Sequence, residues 1–439
     1  MKKVSFIVSA LLMAAVSFQS QAQTFETGYF LDNYSFGSKL NPAFQSESNV
    51  IAFALGEIQA SAASNVGLGN VFFSRDGKLV YGLNKSVSAA EFLAGLENMN
   101  SVTEDFGMNL LTIGFYSKNK KSYHTIDANL RVFTTANVPY ELFEFLKKGG
   151  TRTYSIAGVA ADCTSYIDLG YSYSRAIGDK VKIGGRIKLL IGIANMGAAM
   201  DNLVYDGTKL SLQGASTIRI AQPFVSLPKT SQPIELKDLK FDGTPGIGGF
   251  GAAVDLGVSV TPVEGLEASL ALIDLGGVSW DYNLTGISDF NVKSSDIKEK
   301  SGEIITDVVK FNFSKGEKSF DKLPLTVNGG IRYTMPFYKG LSAGVFGTYR
   351  NYKGAAYANA RLGATVTPAK WFSFTANYGI GTYGSSFGTA FSISGGAFNL
   401  YLGAETFLGK MAAFAPIPLG AAKATVTGGI TFRFGGKNN

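Results

Sequence analysis

The sequence predicts an all-β fold: an antiparallel transmembrane β-barrel of about 14 strands, with an N-terminal hatch or periplasmic cap containing short helices. Three observations carry this expectation. Segments of about ten residues alternate apolar and polar side chains at period two. From Trp371 onward, Phe372, Phe374, Ala376, Tyr378 and Ile380 share one parity, and Ser373, Thr375 and Asn377 the other. Charged residues make up 17% of the 439-residue chain, which also holds 53 glycines and 33 phenylalanines; ordinary soluble domains carry about 25% charge. Finally, no later stretch approaches the ~20 continuous apolar residues of a helical span. A closed barrel pairs every strand edge, so such segments can sit in lipid without unpaired backbone groups.

Taken in order, Met1-Lys2-Lys3 is a short basic start, Val4 to Val16 is apolar apart from two serines, and Ser20-Gln21-Ala22 offers small residues for cleavage. Residues 1–22 therefore read as a secretory signal peptide cut after Ala22. Residues 23–103 read as a hatch and first-strand region, and 104–439 as the barrel. The first region holds one strand near Val50 to Ala60. It also holds a helix start in which Ser88 precedes Glu91 by three positions, ahead of Phe92, Leu93 and Leu96, a capping-box pattern. A second short helix is expected from Pro139 to Lys148, with proline at its start, Lys147-Lys148 at its end and Gly149-Gly150 beyond.

In the barrel region, Val181, Ile183, Ile187, Leu189, Ile191 and Ile193 oppose Lys182, Arg186 and Lys188. Leu325, Val327, Ile331 and Tyr333 oppose Thr326, Asn328, Arg332 and Thr334. Ala358, Ala360, Leu362 and Val366 oppose Asn359, Arg361 and Thr365, and Ala424, Val426, Ile430 and Phe432 oppose Thr425, Thr427, Thr431 and Arg433. Further strands are expected near 104–117, 122–134, 151–177, 209–221, 250–281, 341–352 and 385–407. Tight turns fall at 177–180, 261–265, 336–340 and 367–370, and long connections at 222–247, 282–323 and 407–421. If the last strand ends on the periplasmic side, stepping back through the hairpins puts all four tight turns there and all three long loops outside, the usual arrangement of outer-membrane barrels.

Tyr29-Phe30-Leu31-Asp32-Asn33-Tyr34 and Leu40-Asn41-Pro42-Ala43-Phe44, with the stretches 86–93, 139–147 and 272–276 ahead of Trp280, resemble a Bacteroidota-type outer-membrane family of unknown function. The resemblance spans essentially the whole mature chain. A looser similarity is to the long-chain fatty-acid transporter (FadL-like) family, whose hatch motif maps onto Asn41, Pro42 and Ala43. That similarity implies a hatch that blocks the lumen and a hydrophobic solute leaving sideways through the wall. An Asn-Pro turn ahead of the first strand is the alternative reading of the same three residues.

Catalysis finds little support. His124 is the sole histidine and Cys163 the sole cysteine, so a histidine cluster, a thiolate cluster and an intramolecular disulfide are all excluded. The two Gly-x-Gly-x-x-Gly matches, at Gly246-Gly248-Gly251 and Gly379-Gly381-Gly384, each lead into a strand and not a helix, so both read as turns or kinks. No enzyme activity, cofactor or metal is expected.

By parity, Arg131, Lys182, Arg186, Lys188, Arg332, Arg350, Arg361 and Arg433 face the lumen, with Asp127 and Asp168 as inward acids. They form either an anion-attracting wall or a ladder of ion pairs to hatch and loop acids such as Glu47, Glu57 and Glu91; the ladder is preferred. Asp274 breaks its strand's rhythm; a β-bulge near Leu272 or Ile273, with Gly276 and Gly277 beyond it, would turn it inward, and the alternative is a kink that opens the wall there. The expected partners are outer-membrane lipid, a small hydrophobic or amphipathic solute, and a surface or secreted protein. The net charge of +7 is weak evidence, and no nucleic acid is expected. Passive uptake through a hatch-gated barrel leads; a docking or assembly role and an anion-preferring channel are the alternatives.

Overall fold

The computed structural model describes residues 25–436, except 54–55, 150–151, 209–210, 229–232, 236–237, 242–245, 293–309, 353–354 and 409–419. The expected signal peptide and most of the 407–421 connection lie outside these. Fourteen antiparallel strands close into a barrel. β1 runs Ser48–Phe53 and resumes at Ile58–Ser64; β2 is Met99–Tyr116, β3 Ser122–Pro139, β4 Val159–Ile177 and β5 Val181–Asp206. β6 is Ser211–Ala221 and, after an insertion, Gly249–Val263; β7 is Leu266–Asp281 with Leu284–Val292. β8 comes in three pieces, Lys310–Ser314, Lys318–Lys322 and Thr326–Thr334. Then follow β9 Leu341–Tyr352, β10 Ala355–Ala369, β11 Phe372–Gly381, β12 Gly384–Gly395, β13 Phe398–Phe407 and β14 Ala422–Gly436. β1 closes the ring between β2 and β14, with Val50 opposite both Gly114 and Arg433.

The alternation sorts as barrel physics requires. Ile187, Leu362 and Ile380 are 60% exposed or more, whereas Ser373, Thr375 and Thr431 are fully buried in the lumen. The apolar set faces lipid and the polar set faces inward. Exposed Phe337, Tyr338, Trp371, Phe398 and Phe434 ring the tight-turn rim as an aromatic girdle. Gly178 and Gly265 take φ of +59° and +81° in two of the tight turns, conformations that favour glycine.

The tight turns and Gly436 share one rim. The connection expected over 282–323 differs: 284–292, 310–314 and 318–322 are strand, continuing β7 and β8 past the membrane band. Phe311 and Phe313 pack there with Ile218, Ile220 and Leu284, so these pieces are held by burial although each is too short to show a clear period. The segment 385–407 divides into β12 and β13 at Gly396, where φ is +57°. The barrel is lopsided: β9–β13 are 10 to 15 residues long, whereas β5 runs 26. The taller half carries the 65–98 excursion, in which Ser88 Oγ accepts from Glu91 N (3.1 Å) to start the helix Ala89–Leu93. It also carries the helix Tyr140–Lys148, whose Lys147 Nζ donates to the carbonyls of Gly82 and Asn84.

Candidate functional site in the lumen

The segment 25–47 threads the lumen and is fastened at several depths. At the top, Glu26 sits on a short 3-10 turn, where its carboxylate takes Arg361 Nε (2.7 Å), Lys423 Nζ (2.8 Å), Tyr357 Oη (2.7 Å) and Asn359 Nδ2. Arg361 Nη2 also donates to Glu405 (3.0 Å), which receives Thr27 N–H in turn (2.8 Å). All four charged groups are buried. Lower down, Glu57 accepts from Lys39, Tyr34 and Tyr401. At the tight-turn rim, Asp32 accepts from Arg332 and Thr367, while Arg433 Nη2 donates to Asn33 O (2.6 Å).

The Asn41-Pro42-Ala43 motif lies against the wall. Asn41 Nδ2 donates to the strand carbonyls of Val258 and Leu270 (3.1 and 3.2 Å), and Asn41 Oδ1 accepts Ala43 N–H (2.9 Å). Gly184 and Gly257 make this approach feasible, because a Cβ at either would fall about 2 Å from Pro42 O or Asn41 Oδ1.

Across the lumen lies a layer of four aspartates and two cations. Arg186 Nη2 donates to Asp127 and Asp168, and Lys188 Nζ to Asp255 (2.8 Å) and Asp274 (2.6 Å). All six side chains are buried. Arg350 Nη1 pairs with Asp105 (2.8 Å), and the Arg131 guanidinium lies 5.2 Å from the Phe133 ring centre. Lys182 is half-buried near the lower rim. Of the acids expected to meet the wall cations, Glu57 is taken by Lys39 and Glu91 by Arg75 in the outer excursion. Arg186, Lys188, Arg332, Arg350 and Arg361 pair with the hatch acids Glu26 and Asp32 and with Asp105, Asp127, Asp168, Asp255, Asp274 and Glu405, of which parity names Asp127 and Asp168. Asp255 and Glu405 were open to the parity argument, since each shares its parity with buried neighbours (Ala253 and Ser259; Asn399 and Tyr401). Glu26, in an aperiodic stretch, carried no such signal.

At Asp274 the β6–β7 register slips: Val254 faces Leu275 but Leu256 faces Leu272, leaving Asp255 opposite two residues. Asp274 takes φ +65°, its N–H donates to Asp255 Oδ1 (2.7 Å), and its carboxylate turns inward. Gly276 and Gly277 follow, where a Cβ would meet Ala252 O at 2.1 Å or Asp321 O at 2.4 Å. On the other flank the β7–β8 ladder breaks between Ile273↔Thr326 and Gly277↔Lys322. Pro324, which has no N–H, sits in that break, bridged only by Leu323 N to Gly276 O (2.9 Å). Above the aspartates the lumen turns apolar: Phe133, Tyr166, Leu190, Val278 and Trp280 form one buried cluster that ends at Leu323, beside the break.

His124 stacks on Phe115 (5.2 Å) and meets Tyr171 Oη (2.9 Å), and Cys163 is exposed. Among the described residues no group of His, Cys, Asp and Glu has a metal-holding arrangement. The two glycine motifs lie where β6 re-enters the wall and at the β11–β12 turn. A cavity of about 220 Å³ opens at the tight-turn rim, lined by Asp32, Glu267, Arg332, Lys339 and Ser342.

A closed antiparallel barrel with a lipid-facing apolar wall and an aromatic girdle is an outer-membrane β-barrel protein. The chain belongs to the Family of unknown function (DUF5723), whose sequence profile matches residues 42–405. No curated protein matches it. Among solved structures it is similar to a Pseudomonas aeruginosa FadL homologue (9% identity, TM-score 0.47, covering 95% of this chain and 99% of that one). It is also similar to the Ralstonia pickettii toluene transporter TbuX (9%, 0.44, 92% and 94%) and the Pseudomonas putida toluene transporter TodX (8%, 0.45, 92% and 94%).

Proposed function

We propose that this protein, exported with residues 1–22 removed, admits a small hydrophobic or amphipathic solute passively and releases it sideways through the barrel wall. One observation carries the reading: the apolar luminal cluster around Trp280 ends at the β7–β8 break, directly above a charged floor. An apolar solute entering from outside gains by contact with that cluster. It meets a steep desolvation cost at the aspartate layer, whose groups would lose their partners to make room. A way out is the break at Leu323-Pro324-Leu325, where the β7–β8 ladder is interrupted. The hatch keeps the axial route shut.

An anion-preferring channel has less support, because Arg186, Arg332, Arg350 and Arg361 are each bound to carboxylates. The test is influx of a radiolabelled monoaromatic probe into cells with and without the protein. Leu323→Asp, which sets a charge in the exit, is expected to abolish the protein-dependent influx, and Arg332→Ala to leave it unchanged. Influx indifferent to Leu323→Asp would sink lateral release and leave docking as the role to pursue.

A further inference from the structure

We infer that the middle piece of β8, Lys318–Lys322, is a docking edge to which an extended acidic segment of a partner protein adds as a further strand. The inference deepens the docking alternative and stands whether or not solute crosses the wall. Below this piece, Thr326–Thr334 is paired on both sides, by β7 and β9. Lys318–Lys322 itself pairs only with β7, from Gly277↔Lys322 to Asp281↔Lys318. The last bond from β9 is Asn351 N to Leu325 O (3.3 Å), after which β9 ends at Tyr352.

The phase of the ladder says which groups are free. Leu323 N donates to Gly276 O, so residues 319 and 321 also bond toward β7, because antiparallel bonding alternates. The backbone N–H and C=O of Lys318, Phe320 and Lys322 therefore point away from it, and among the described residues no strand covers them. Their side chains share the outer face: Phe320 is 61% exposed, and Lys318 and Lys322 are exposed on either side of it. Lys318 reaches Asp281 only at 3.7 Å, with both side chains largely in solvent.

Such an edge recruits a strand through main-chain hydrogen bonds and selects it through alternate side chains. A complementary strand presents a carboxylate, an apolar residue and a second carboxylate at alternate positions. The same lysines oppose edge-to-edge pairing of two copies, where like charges would meet. The occupant is thus a foreign acidic segment and not this chain again.

The test uses the full-length protein in nanodiscs and a fluorescent peptide, Thr-Glu-Thr-Val-Thr-Glu-Thr, read by anisotropy. Saturable binding is expected, weakened about tenfold or more when alternate edge-facing amides of the peptide are N-methylated. Phe320→Pro removes an outward N–H without touching the ladder to β7 and should weaken binding equally. The double variant Lys318→Glu, Lys322→Glu should switch preference to the corresponding Lys peptide. Absence of binding to the wild type, or binding indifferent to N-methylation, overturns the proposal. A wild-type dimer in sedimentation that Phe320→Pro dissolves would also overturn it, by giving the edge to a second copy.

Discussion

Arg361 has no exposed surface and joins hatch to wall through Glu26 and Glu405. Arg361→Ala leaves two buried carboxylates with Lys423 as their remaining cation, and breaking a buried pair in this way costs about 3–5 kcal/mol. The expected outcome is a lower thermal midpoint in detergent and a hatch open to protease; an unchanged midpoint would show the contact to be energetically idle. Glu26 lies on the hatch, off the strands. Burial pushes its carboxyl up, but Lys423 and Arg361 together outweigh this and bring it to about 2. A lowered folded value means the contribution is whole above the ordinary carboxylate range and fades as pH falls toward about 2. Hatch protection against protease should therefore hold down to about pH 4.5 and decline below it. Arg361 was legible in sequence because strand parity assigns its face. Glu26 was not: what fixes its role is a partner 335 residues away, and no local period encodes that.

The Ser88 hydroxyl caps the helix Ala89–Leu93, and Ser88→Ala should cost about 1 kcal/mol locally. Faster amide exchange confined to the 65–98 excursion, with barrel strands unaffected, is the signature to look for. The break in β8 depends on Pro324, so Pro324→Ala restores a backbone N–H within the break and lets regular pairing extend into it. Influx of the monoaromatic probe should fall severalfold while the folded fraction stays the same. Elements were legible where burial and period agree over about ten residues, as in β11 and β14. The tight turns were legible from Gly, Pro and Lys at fixed offsets. The upper parts of β7 and β8 look like loop in the sequence because Lys315, Gly316 and Glu317 interrupt the alternation and each piece of β8 there is five residues long. Their order comes from packing against β6.

Across the whole barrel, the hatch and the aspartate layer occupy the lumen at successive depths. Planar-bilayer recording of folded protein should show no steady conductance. Deleting residues 25–46 should open a conducting state, since it removes the hatch side of the Glu26, Asp32 and Lys39 contacts. Steady current in the wild type would contradict a blocked axis and revive the anion channel.

The ring closes by joining β1 to β14 through pairs such as Val50↔Arg433 and Ala60↔Val426, and the hatch lies immediately upstream of β1. Apart from early contacts such as Glu57 and Gln59 in β1, its anchors come from β5 to β14, so most of them do not exist until the chain is nearly complete. A cylinder already sealed would have to be threaded by a tail bearing Phe25, Tyr29 and Phe30. Seating and sealing must accordingly be one terminal event, in which the strand carrying Lys423 and Arg433 both shuts the seam and clamps the tail. A ribosome product that stops short of Ala422 would lack the closing strand and the clamp together, and so would never present an open, leaking pore to the cell.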